Sequence, residues 1–450
     1  MKKCVALFFL CLYGFFANAQ VDSTAANVSD GDDLFDMSLE DLLKLEIVDR
    51  NFYLYGYINS NLQKTFAYPT TLDDGSVRRV SDPVEWAPVR NFHIYGKGNF
   101  SDKISYLFNL SGSEDHIEVR NAWGNFSIQE AFQIRVGKMY RKFGLYNERL
   151  DQIPTFIGIE APEMLDTDHL FLTRTTSAMI HGNFSNSTRE ISYALMTENG
   201  EGGAQKQVIP IGWDLRYKSF TNSLITGFSG YSSSISNEKS TSTVALGDGS
   251  PRGGILPWMK GDRFSVVGFF LEKQLGKKLL IQTEYYIASH SAVRDPEAVL
   301  TVIQNTKLNA TQRDRFLISN ENIPNEELTT ADVATNIQYD VQTWYIRLGY
   351  NIQTSVGQFV PYLFLDWMRH PEAIQSKTYG GDEEAGLADD GIFWKPSAGL
   401  VYRPLTNVAI KLDGSYHIQQ YMGRTVSYPE LRIDFSFAFS NNLFDNTFGK

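Results

Sequence analysis

Leu431 to Ser440 alternates without a break. Leu431, Ile433, Phe435, Phe437 and Phe439 are apolar, while Arg432, Asp434, Ser436, Ala438 and Ser440 are charged, polar or small. Successive side chains of a strand point to opposite faces, so this stretch is greasy on one face and water-seeking on the other. Sixteen segments of this kind can be marked out, from Phe52–Leu62 to Tyr428–Ser440. The connections between them sort by parity. Ser101-Asp102, Gly276, Thr354-Ser355 and Leu405-Thr406 are tight, whereas Gln63–Val89, Tyr140–Leu172, Ile235–Lys260, Ser291–Asn336 and Pro371–Gly391 are long. Glu114–His116 is the one short connection among the long set. A soluble sandwich has no reason to segregate its loops. A closed barrel crossing a bilayer does, with short turns on one side, long loops on the other and an even strand count. The expected fold is an all-β transmembrane antiparallel β-barrel of about 16 strands, with lipid outside and water within.

The remaining sequence bounds that reading. Lys2 and Lys3, the apolar run Val5–Phe16 and the small-residue site Ala17-Asn18-Ala19 read as a cleavable export signal over residues 1–19. Both cysteines, Cys4 and Cys11, fall inside it, so the exported chain offers neither a disulfide framework nor a thiolate metal site. Residues 20–50 read as an acidic periplasmic segment, in which Ser38–Asp41 has the form of a capping box opening a short helix, or else as a loosely ordered tail. The barrel is expected over residues 51–450. A mean hydropathy of −0.26 argues against a helical membrane protein but not against a barrel, because half of every strand is polar. Aromatic residues, 13% of the chain, suit the two membrane interfaces. A net charge of −11 with no basic block argues against a nucleic-acid partner. The expected partners are outer-membrane lipid and lipopolysaccharide of a Gram-negative bacterium, together with small hydrophilic solutes. Gly380–Glu384 with Asp389-Asp390 reads as solvated acidic surface or as a divalent-cation bridge to lipopolysaccharide.

Alternation also marks the inner wall. His93, Lys97, Glu118, Arg120, Gln133, Arg135, Asp214, Arg216 and Lys218 fall on the polar face. So do Glu284, Arg347, Asp366, Lys395, Lys411, Asp413, Arg432 and Asp434. Each charge among them would cost roughly 2–4 kcal/mol on the lipid face near the midplane, which places the group inside; a single member could instead mark a strand end. Tyr140–Leu172 mixes apolar anchors (Ile153-Pro154, Phe156-Ile157, Ile159, Ala161-Pro162) with acids Glu148, Asp151, Glu160, Glu163, Asp166 and Asp168. Its bases are Arg141, Lys142 and Arg149. We expect it to fold inward and narrow the pore, the alternative being an ordered loop over the mouth. Set against Arg120, Arg135 and Arg216, its acids would create a transverse field favouring polar solutes, with signs too mixed to choose anions over cations.

Val136-Gly137-Lys138-Met139-Tyr140-Arg141-Lys142-Phe143-Gly144-Leu145, followed by Glu148-Arg149-Leu150, resembles the end of strand five in the phosphate-selective porin O and P family. That family's pattern has a proline before Phe-Gly-Leu; here Lys142 stands directly before Phe143. The resemblance implies a sixteen-stranded barrel, usually a homotrimer, with the constriction loop after this strand. It further implies that Arg135, Lys138, Arg141 and Lys142 take part in drawing anions inward. Arg120, Arg216 and Arg347 are scattered among acids and make no dense arginine ladder.

The function expected from these readings is passive diffusion of small hydrophilic solutes and ions, leaning to anions or phosphate, with no enzymatic activity and no cofactor. A non-conducting scaffold or adhesin barrel is the main rival. A rim-site hydrolase around Asp168-His169 is another, although no H-E-x-x-H pair or G-x-S-x-G elbow is present. An energised receptor would need about 22 strands around a folded plug, which this chain is too short to supply.

Overall fold

A computed structural model of the chain describes residues 52–71, 77–113, 116–163, 174–199, 208–236, 256, 258–305, 308, 310–319, 323–372, 391–421 and 424–440. The expected signal (1–19), the acidic segment (20–50), Asp166, Asp168, His169 and the acidic stretch 380–390 lie outside the described residues.

Sixteen antiparallel strands follow one another around a closed barrel. They are β1 (Phe52–Thr65), β2 (Glu85–Ser101), β3 (Ile104–Gly112), β4 (Ile117–Gln129), β5 (Phe132–Tyr140), β6 (Arg174–Ser185), β7 (Arg189–Glu198) and β8 (Ile211–Ser219). The second half comprises β9 (Leu224–Ser236), β10 (Met259–Leu275), β11 (Leu279–Arg294), β12 (Asn336–Tyr350), β13 (Gly357–Arg369), β14 (Ile392–Leu405), β15 (Val408–Tyr421) and β16 (Arg424–Ser440). β12 continues past Asn351 as Ile352–Thr354, still paired with β13. Closure comes from β16 against β1, in register from Tyr55↔Ser440 to Thr65↔Glu430.

The barrel is inside out by the standards of a soluble protein. In β16, Leu431, Ile433, Phe435 and Phe437 are 38–49% exposed, while Arg432, Asp434 and Ser436 are 6% exposed or less. Phe228, Phe269, Leu363, Trp394 and Leu412 are likewise exposed on other strands, and Glu284, Asp366, Lys395 and Lys411 are fully buried. Contiguous apolar surface of this extent marks an interaction face, and a belt around a closed barrel fits acyl chains.

Strand ends depart from the sequence reading in places. β2 begins at Glu85 and not Arg90, because it carries a bulge: Asn59 pairs with Asn91 and Asn61 with Ala87, leaving Pro88, Val89 and Arg90 opposite Ser60. Proline cannot donate to the ladder and is tolerated at such a bulge. β16 begins at Arg424, paired with Tyr421, so only two residues separate these strands at the long-loop end. Residues 295–335 hold two helices, α1 (Pro296–Asn305) and α2 (Ala310–Phe316), where strand-period reading leaves an open loop. Ala298, Val299, Val302 and Ile303 form one buried face of α1, at helical spacing.

The interior is not uniformly wet. Between β9 and β15 the inner wall contributes Tyr231, Phe264, Tyr286, Tyr345, Phe364 and Val401 to an apolar cluster. The helices α1 and α2 join the same cluster through Val299, Ile303 and Phe316. One side of the barrel interior is therefore packed.

Candidate functional site

Residues 141–163 leave β5 and run through the barrel interior. The turn inward is made at Phe143-Gly144-Leu145. Gly144 has φ of +63°, and a Cβ there would lie 2.1 Å from Glu284 Oε2 and 2.4 Å from the Tyr286 hydroxyl, so glycine alone fits. The Leu145 and Tyr146 N–H groups donate to the Glu284 carboxylate at 3.0 and 3.1 Å. The Tyr286 and Tyr345 hydroxyls donate to the same carboxylate at 2.8 and 2.7 Å. Phe143 packs on the Tyr286 ring, centroids 4.6 Å apart.

Beyond the turn the backbone makes short 3-10 turns at Asn147–Arg149 and Ile153–Thr155 with no sheet partner. Its buried carbonyls need donors from elsewhere. Basic groups of the wall supply them. Arg403 donates to the Pro154, Thr155 and Phe156 carbonyls at 3.2, 3.1 and 3.3 Å. Lys411 donates to those of Ile153 and Gly158, and Arg347 to that of Glu160 at 3.0 Å. The apolar anchors Phe156 and Ile157 enter the packed side of the interior.

Charged side chains of the segment pair around the wall. Arg141 donates to Glu198 at 2.7 Å and to the Tyr231 hydroxyl at 2.9 Å, 1% exposed. Lys142 meets Glu148 at 2.7 Å, and Arg216 lies 3.4 Å from Glu148 while donating to the Gly144 carbonyl at 2.8 Å. Arg149 pairs with Glu272 at 2.5 Å. Asp151 accepts from Arg120 at 3.0 Å. Glu163 takes Lys395 at 2.6 Å, and its N–H donates to Asp366 at 2.7 Å. Glu160 pairs with Arg432 and, at 3.0 Å, with Lys395. Burial pushes the Glu148 carboxyl up, but Lys142 and Arg216 overcome it and leave it at about 2. Burial opposes Glu160 likewise, and Arg432 with Lys395 holds it far below the usual carboxylate range.

A cavity of about 390 Å³ lies between residues 150–163 and the wall of β1, β2, β4 and β16. Two bulges shape it. The β2 bulge brings Arg90 beside Asn61, whose side-chain oxygen accepts from it at 2.8 Å. In β4, Asn109↔Asn121 and Leu110↔Val119 leave Arg120 as the extra residue, aimed at Asp151. Such bulges re-aim side chains locally.

Of the charged residues marked from sequence, Arg120, Glu160, Glu163, Arg432 and Asp434 line this cavity. Arg141, Lys142, Arg149, Arg216 and Arg347 join the segment's attachments instead. Arg135 stacks on Trp123, 4.2 Å from the ring centre. Lys138 is not brought to the group: it sits opposite Ala122 and Thr176, on the face of Val136, and donates to the Val119 carbonyl at 2.7 Å. Its neighbour Met139 is the one that turns inward, into a buried methionine cluster. Arg403, Glu272 and Glu198 were not among the marked residues. Arg403 and Glu272 share the parity of Lys395 and Phe270, so alternation carried far enough would have found them. Arg90 is hidden from alternation by its bulge.

No protein-family model matches the chain, and no curated protein sequence does. Solved structures do. The anion-selective porin from Comamonas acidovorans superposes with a TM-score of 0.50 at 9% identity, over 86% of this chain and 99% of that one. A loop L8 deletion mutant of OmpT, an outer membrane protein of Vibrio cholerae, gives 0.48 at 10% identity over 86% and 99%. The outer membrane channel DcaP of Acinetobacter baumannii gives 0.46 at 9% identity over 86% and 97%. At 9% identity the first of these carries architecture alone, and that architecture is the closed sixteen-stranded antiparallel barrel of an outer-membrane protein.

Proposed function

We propose that the protein is an outer-membrane porin through which small hydrophilic solutes and ions diffuse passively, with residues 141–163 as its constriction. The observation that supports this most is the cavity between that segment and the β1–β2–β4–β16 wall, set inside a barrel whose apolar residues face outward. The apolar cluster packs the β9–β15 side, which leaves a water path to the rest of the interior, this cavity included.

A lean toward anions or phosphate is the finer form of the reading, and it rests on Arg90, Arg120 and Arg432 at the cavity. Arg120 and Arg432 are held by Asp151, Glu118, Glu160 and Glu430. Paired cations attract anions weakly, so we propose low charge selectivity. Location in the outer membrane after export, contact with lipopolysaccharide and a homotrimeric state belong to the same proposal. Planar-bilayer recording under a KCl gradient tests it. Stepwise insertion of open channels with a reversal potential near zero, unmoved by added phosphate, is the expected result. A silent barrel would favour the scaffold or adhesin reading instead.

A further inference from the structure

The cavity's chemistry bears on which solutes it takes, an inference that rests on the porin reading. Its wall is rich in neutral amides. Asn59, Asn61, Asn91, Asn109, Asn121 and Asn125 all stand on β1–β4, and the first three line the cavity itself. Formal charges at the cavity cancel: Arg90, Arg120 and Arg432 stand against Glu160, Glu163 and Asp434.

Asn59, Asn61, Asn109 and Asn121 retain hydrogen-bonding capacity, and the first two of these line the cavity. Asn59 Nδ2 donates to Asp434 at 2.7 Å and Asn61 Oδ1 accepts from Arg90 at 2.8 Å. Asn59 Oδ1 and Asn61 Nδ2 meet no hydrogen-bond partner among the described residues, although the side chains are only 1% and 4% exposed as residues. The pair thus offers one acceptor and one donor side by side on the inward face of β1. Buried polar groups are ordinarily satisfied, and an exception calls for an explanation. Across the cavity the segment presents Leu150, Ile153 and Phe156, an apolar counter-face. The volume falls within the roughly 300–1,000 Å³ usual for small-molecule sites.

An acceptor, a donor, no net charge and an apolar wall match a ring that carries hydroxyls on its edge and C–H groups on its faces. We propose that this cavity recognises uncharged polyhydroxylated solutes of monosaccharide size, with Asn59 and Asn61 as the hydrogen-bonding pair. An ion of either sign gains nothing there from a charge-balanced wall and loses hydration on entering.

The test is flux into vesicles carrying the full exported chain, using glucose, its carboxylate analogue gluconate and its amino analogue glucosamine at millimolar concentration. KCl conductance of the same preparation reports that channels are present. Glucose should enter at least threefold faster than either charged analogue, and Asn59→Ala/Asn61→Ala should bring that ratio to about one. The double variant widens the cavity, so a purely steric filter would instead speed all three solutes alike. Gluconate entering as fast as glucose, or a double variant that keeps the wild-type ratio, overturns the assignment while leaving the porin reading intact. Conductance absent from the wild type removes the porin reading, and this assignment with it.

Discussion

Gly144 shows how a single residue sets the position of the whole inward segment. Its positive φ disfavours any side chain, by roughly 1–2 kcal/mol for an L-residue in the left-handed region. Glu284 of β11 adds a steric bar, since the space a Cβ would need is filled by its carboxylate and the Tyr286 hydroxyl. Gly144→Ala should therefore unseat the Leu145 and Tyr146 N–H groups from Glu284 and loosen the constriction. Single-channel recording should show larger, noisier currents than wild type; wild-type currents would mean that this turn does not position the segment. Arg141 illustrates the complementary case. A buried pair is weak evidence for stability, yet breaking it leaves a charge stranded. With Glu198 on one side and the Tyr231 hydroxyl on the other, Arg141 fastens the chain as it leaves β5.

At the scale of the element, residues 141–163 are held by donors from the wall where a strand would be held by its neighbour. Carboxylates reinforce this, and their titration has a defined direction. A carboxylate whose folded pKa is depressed contributes its tether above its unfolded pKa and loses it as pH falls through the folded value. Glu148 lies at about 2 against a usual 4.5, and Glu160 is also strongly lowered, so both tethers are complete at neutral pH. Open-channel current should stay level from about pH 7 to about pH 5 and become noisier only as pH falls below about 4. A transition near pH 6 to 7 would show that these two carboxylates do not set the pH response of the segment.

The same segment marks where sequence reading succeeds and stops. Strands such as β16 were legible because membrane and lumen impose opposite chemistry on alternate residues, and their exposure follows that pattern residue by residue. The apolar anchors and mixed charges of residues 141–163 were legible as unlike a loop bathed in water. Their partners were less so. Lys138 was marked through a motif, but strand parity sends Met139 inward in its place. Arg90 and Asn61 meet because of a bulge at Pro88, and a bulge shifts parity in a way that no period-two pattern records. The packed side was hidden because Phe264, Val266 and Phe270 are apolar on the inner face, alongside apolar residues such as Val267 and Phe269 on the outer one.

For the molecule as a whole, the central claim is that the apolar residues of the strands face lipid and the charged ones face the interior. Everything proposed about permeation depends on it. The only cysteines lie at positions 4 and 11, inside the expected export signal, so single cysteines can be introduced into a background otherwise free of them. Nitroxide labels placed one at a time from Leu431 to Ala438 in bilayer-reconstituted protein give the most direct test, read as accessibility to oxygen and to a water-soluble nickel complex. Oxygen accessibility should peak at positions 431, 433, 435 and 437 and fall at the positions between them. Nickel accessibility at those same four positions, or no period of two, would contradict the inside-out barrel.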